Sequence, residues 1–185
     1  MKSPIILLAA GLCLTLAQPA PAALARQPGS TTAAAGKCMW EQLPQAARAA
    51  VLSKATIDGV FAELNVQITA LGNGAMIQAG RTCGVGPAQF RSAGSRVADW
   101  AGRLWSEKQL AGRASPQKLD QAYRAMAAAD KQAFHDSLET PGGLQQSPAK
   151  EALDRYLGSL GIRRTEQPAY VAAVNYLISR LNDER

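Results

Sequence analysis

The stretch Gly72–Phe90 reads GNGAMIQAGRTCGVGPAQF. Five glycines, an arginine, a threonine and a cysteine fall together there, and two folds compete for it. As a phosphate-cradling loop it belongs to an α/β enzyme. As a corner between two helices it belongs to an all-α domain. A P-loop needs G-x-x-x-x-G-K-[ST], so that backbone N–H groups close on the phosphates and the lysine reaches the terminal one. Here five residues separate Gly74 from Gly80, and Arg81 stands where the lysine belongs. The dinucleotide pattern G-x-G-x-x-G fails as well, because Ile77 takes the third glycine position. Both motifs must follow a strand, and none is signalled before Gly72. The corner reading accounts for the same residues: glycines supply turn conformations and close approach, Cys83 pins the turn, and Pro87 suits the first position of a new helix.

Outward from that corner the pattern is helical. After Gly86-Pro87, the residues Phe90, Val97, Trp100, Ala101 and Leu104 share one apolar arc. Arg91, Ser92, Arg96, Asp99, Arg103, Ser106 and Arg113 share the other. Trp100 is expected in the core and Trp105 half exposed at the edge of the arc. Upstream, residues 39–55 and 56–72 each carry apolar residues at helical spacing, with Pro44 tolerable only in a first turn or at a kink. A short helix is expected near Ala75–Arg81. Downstream, Ser115-Pro116 reads as an N-cap and first helical residue. It opens one helix that carries Leu119, Tyr123, Met126, Phe134 and Leu138. Pro141–Gly143 break the chain, Ser147-Pro148 repeats the Ser-Pro start, and Gly158 and Gly161 close the next helix. The last helix begins near Thr165–Pro168. The expected fold is all-α, a compact bundle of about six to seven helices with short connections and one disulfide.

The N-terminal region suggests where the chain goes. Lys2 is followed by an apolar run from Pro4 to Leu16, then by Ala20–Ala22 and Ala23–Ala25, two sites with the small residues a signal peptidase accepts. Residues 1–25 therefore read as a secretory signal peptide, 26–37 as a flexible tail, and 38–185 as a single helical domain. Leu12 before Cys13 does not fit a lipoprotein signal. With the signal removed no transmembrane anchor is expected, and the location is periplasmic or secreted.

Two cysteines remain after such a cleavage, Cys38 and Cys83. An even count in an oxidising compartment implies a disulfide, stapling the first helix to the glycine-rich corner. No Cys or His spacing suits a metal, His135 is the sole histidine, and neither metal nor cofactor is expected.

The net charge of +6 is uneven. From Arg26 to Ala114 there are 10 basic and 5 acidic residues; from Ser115 to Arg185 there are 9 of each. Arg81 and Arg91, beside the start of the Pro87 helix, and Arg96 and Arg103 along it, are therefore the candidate anion- or partner-binding residues. Nucleic acid is not an expected partner, since no matching motif accompanies the charge.

No nucleophile elbow is present, and His135 is expected to be exposed, with Asp136 turned away from it. The run Gly142–Gln146, GGLQQ, is similar to the G-L-x-Q of lytic transglycosylases. The Glu-Ser pair those enzymes carry upstream has no counterpart, because Glu139-Thr140 is too close, so no catalytic residue is assigned. The expectation is a binding protein with an envelope protein as partner. The alternatives are a binder of anionic envelope polysaccharide or lipid through the basic helix face, and a cell-wall hydrolase with unidentified carboxylates.

Overall fold

The helix that follows the glycine-rich corner becomes the spine of the domain. In the computed structural model, which describes residues 32–184, the chain forms eight α-helices and, among the described residues, no strand. They are α1 (Thr32–Gln42), α2 (Gln45–Leu52), α3 (Ile57–Thr82), α4 (Phe90–Leu110), α5 (Pro116–Ala125), α6 (Ala128–Leu138), α7 (Ala149–Leu160) and α8 (Gln167–Asp183). Short 3-10 turns stand at Pro87–Gln89 and Gly143–Gln145. The expected signal peptide, its expected cleavage sites and residues 26–31 of the expected tail lie outside the described residues.

Helix α4 packs against α1, α2 and α3 from the first half of the chain and against α8 from the second; α5, α6 and α7 gather around α8. Val97, Ala101 and Leu110 of α4 are fully buried, as are Tyr176 and Leu177 of α8 and Tyr123, Phe134 and Leu153 behind them. Each helix turns one stripe inward and the stripes meet in one core, but on α4 the buried stripe runs through Ala93, Val97, Ala101, Trp105 and Ser106, with Phe90, Trp100 and Leu104 of the expected arc only partly buried.

Caps and breakers fix the boundaries. Thr56 Oγ1 accepts from Gly59 N–H at 3.2 Å, and Ser115 Oγ from Lys118 N–H at 3.2 Å, each satisfying a first-turn donor. Gly161, at φ 70°, ends α7.

Four expectations need correction. The single helix over residues 39–55 is two, because Pro44 takes an extended backbone (ψ 142°) and interrupts it. The helix from Ser115 to Glu139 is also two: Met126 and Ala127 are extended, at ψ 135° and 148°. Residues 32–37 are not tail but the start of α1, and Ala35 is buried. That segment has no large apolar residue; what places it is close approach, since a Cβ on Gly36 would stand 2.5 Å from both Cβ and the carbonyl oxygen of Arg96 on α4. At Ser147-Pro148 no side-chain cap forms; Pro148 is itself the N-cap, and Ser147 Oγ donates to Glu151 Oε1 at 2.5 Å.

Polar groups lock the two spine helices together. Asn175 of α8 donates from Nδ2 to the Gly102 carbonyl and to Ser106 Oγ, both at 2.8 Å, and Ser106 is fully buried. Gly102 makes room, since a Cβ there would stand 3.0 Å from Asn175 Nδ2. Asn175→Ala should destabilise the domain by about 1–3 kcal/mol, the cost of losing two hydrogen bonds across the helix contact, although Ser106 Oγ still donates to the Gly102 carbonyl. Urea denaturation measures this, and a loss under ~0.5 kcal/mol would show the bridge to be idle.

Candidate docking site at the disulfide-pinned corner

Helix α3 carries a break at Gly72, whose backbone (φ 77°, ψ 160°) leaves helical geometry between two helical arms. Only glycine takes that conformation without strain. The two arms match the helices expected over 56–72 and 75–81. The second arm ends at Cys83, which is disulfide-bonded to Cys38 of α1 across 45 residues of sequence. The staple between the first helix and the corner is therefore formed.

The turn that follows is tightly made. Gly84, at φ 71°, passes the chain round, with Gly84 N–H donating to the Arg81 carbonyl and Val85 N–H to the Gly80 carbonyl at 2.8 Å. Gly80 lets the Phe90 ring against the helix, because a Cβ on it would stand 2.7 Å from Phe90 Cε2. Between these elements lies a groove of ≈ 360 Å³ lined by Ile77, Arg81, Val85, Pro87 and Phe90. Its wall is apolar except for one guanidinium.

The arginines picked from the sequence part company here. The side chains of Arg81 and Arg91 are exposed and make no hydrogen bond or ion pair among the described residues. Arg96 and Arg103 are only 14 % and 16 % exposed. Arg96 donates to the Asn182 carbonyl of α8 and pairs with Asp99 at 3.4 Å. Arg103 pairs with Asp183 at 3.0 Å and Glu107 at 3.4 Å, and lies over the Trp100 ring. The basic helix face expected along Arg91, Arg96 and Arg103 is thus not formed. Its two inner arginines serve the α4–α8 contact, where acids from the end of α8 meet them.

The helix start expected to cradle an anion is also corrected. Gly86 N–H donates to Gln89 Oε1 at 3.3 Å, Gln89 N–H to the Gly86 carbonyl, and Phe90 N–H to the Pro87 carbonyl. Pro87 has no N–H, so Ala88 is left with the remaining donor. The positive charge at this corner is carried by Arg81, on the groove wall, and by Arg91, next to Phe90 in the chain.

What the sequence reading missed is the surface beside the groove. The chain carries no acidic residue between Glu63 and Asp99, and no charge of either sign from Asn65 to Gly80. Yet Val66, Ala70, Asn73, Ile77 and Gln78 on α3 are exposed, Val66 at 59 % and Ile77 at 42 %. The long charge-free run was visible in the sequence. That it faces outward on both arms was not.

The other residues weighed in the sequence are placed elsewhere. Trp105 is buried and donates to the Lys54 carbonyl at 2.9 Å, whereas Trp100 is half-buried, the reverse of the expected order. His135 is partly buried on a groove of ≈ 430 Å³ with Lys131 and Glu184, and its Nδ1 lies 3.3 Å from Asp136 Oδ1. That contact corrects the expectation that the neighbours turn apart. Lys131 is already held, 3.3 Å from Glu184 and 4.1 Å from the Tyr123 ring centroid. Among the carboxyls, Asp99 is pushed above its usual range, first by burial, with Asn182 and Arg96 holding it back. Its partners are helix-interface groups, so it is spent on structure. Glu63 is drawn below its usual range by its hydrogen bonds from Lys54 and Gln67. Among the described residues no cluster of His, Cys, Asp and Glu is placed to hold a metal ion. No described helix is long and apolar enough to cross a membrane. No protein-family model matches the chain, and neither a curated protein nor a solved structure does.

Proposed function

We propose that the protein is exported to the cell envelope and acts there by binding another protein, docked on the outer face of α3 and in the groove at its end. The observation that carries this reading is the exposed, charge-free surface of α3 leading to an apolar groove. Ordinary protein surface is studded with charge, and the centres of protein interfaces are depleted of it. The groove is of a size to take a partner's anchoring side chain, which is where binding energy concentrates. The disulfide suits an oxidising compartment, in keeping with the signal-like first 25 residues.

The test is affinity capture from envelope extract with the oxidised protein. Wild type and Lys118→Glu, altered on a distant helix, should retain the same protein at low and high salt. Ile77→Asp places a charge at the groove mouth and should cut that capture by at least about tenfold, with the circular dichroism of the folded protein retained because Ile77 lies at the surface. Capture unaffected by Ile77→Asp and by Val66→Asp would refute the α3 face. A second reading, binding of an anionic polymer or lipid, draws on the unpaired Arg81 and Arg91. It predicts release of such material, without protein, as salt rises.

A further inference from the structure

We infer that the partner meets the corner with an acidic side chain beside its apolar anchor: an amphipathic segment carrying Asp or Glu within about one helical turn of the residue that fills the groove. This rests on the docking reading above and adds the chemistry of the occupant.

The inference comes from the arginines of the corner and of the helix that leaves it; elsewhere, Arg48 on α2 also has no acid among the described residues. Further along the same connected stretch, every arginine meets an acid of the chain itself. Arg96 has Asp99, Arg103 has Glu107 and Asp183, and Arg113 has Glu166. Arg81 and Arg91 have none, and the absence of any acid between Glu63 and Asp99 leaves no local residue to supply one. In water the two guanidiniums are solvated and cost nothing. Once an apolar side chain fills the groove between Ile77, Val85 and Phe90, Arg81 on its wall loses water, and a desolvated charge left unpaired is expensive. A carboxylate arriving with the anchor removes that cost and adds a charge-assisted hydrogen bond. Groove and arginines thus select together: the groove demands an apolar group, and the arginines exclude a partner that brings a cation with it.

The experiment uses the full chain, produced in the cells that export it, with the photo-reactive residue benzoylphenylalanine in place of Ile77, and separately in place of Lys118. Irradiation should give a protein adduct from position 77 and none from 118. The cross-linked peptide, mapped by mass spectrometry, should hold Asp or Glu within four residues of the linked position. Arg81→Glu with Arg91→Glu should lower the adduct yield about tenfold, and the corresponding lysine pair should largely preserve it. Both residues are exposed and unpaired, so circular dichroism should be unchanged. A protein adduct indifferent to charge reversal, or mapped to a segment without acids, overturns the acidic partner and leaves the docking reading standing. A phospholipid adduct overturns it in favour of a lipid surface. No adduct from a folded protein overturns both.

Discussion

Replacing Cys38 and Cys83 together by alanine should lower the stability of the domain by about 4 kcal/mol. The bridge closes a loop spanning 45 residues of sequence, which holds α2 and both arms of α3. In the chain-entropy account the gain grows with the logarithm of loop length, and that span gives roughly this figure. Single domains are stable by only about 5–15 kcal/mol, so the loss takes a large share of the whole. Alanine is the sharper choice than serine, because Cys83 is buried and a hydroxyl there would need a partner. Urea titration of the double variant, compared with wild type with and without reductant, measures the effect. Wild type under reductant should approach the variant. A shift below about 1 kcal/mol would mean that α1 and the corner are already held in the unfolded chain, or that the bridge is strained.

The second large effect is expected from one methyl group. Gly36→Ala puts a Cβ 2.5 Å from Arg96 Cβ, from the Arg96 carbonyl oxygen and close to its carbonyl carbon. Two of those three atoms are backbone of the spine helix, so α1 itself must move away by roughly 1 Å to restore ordinary contact. In a helix, Gly→Ala on its own gains about 0.5–1 kcal/mol. Overpacking of this kind costs about 1–3 kcal/mol and sometimes more, so the clash wins and a net loss of about 1–2 kcal/mol is expected. Gly74 provides the contrast. A Cβ there meets nothing within 4 Å, and Gly74→Ala should be neutral or stabilising by up to ~1 kcal/mol. Opposite signs at the two sites, read from denaturation midpoints, would establish close approach as the role of Gly36. Equal signs would remove it.

Much of the fold was legible because its signals are local. Ser115 caps its helix through a hydroxyl three residues from the amide it accepts, and Pro87 and Gly161 stand where their backbones are suited. The Cys38–Cys83 bridge could be read by parity, since two cysteines remained beyond the signal-like segment. What stayed hidden depends on residues far apart. Besides Glu107 on its own helix, Arg103 meets Asp183, 80 positions away, and a helical projection of α4 alone could not show that second contact. The same projection misjudged Trp100 and Trp105, because α8 and the α2–α3 turn close over different sides of α4. Gly36 gives no sign in the sequence that it is a contact. Of the site, Arg81 and Arg91 were legible as charges near a turn. The apolar groove was not, because Ile77, Val85 and Phe90 belong to three different elements that only the disulfide-pinned corner brings together.

The bridge also decides what a protease can do to this protein. A cut in the turn between α2 and α3, where Ser53–Ala55 lead into the next helix, falls between the two bridged cysteines. The nicked product remains one covalent molecule, with α1 and the corner still joined. A cut at Gly112-Arg113, in the turn after the spine helix, falls outside the bridge, and packing alone then holds the two pieces together. The first wound is visible on a gel only after reduction; the second shows without it.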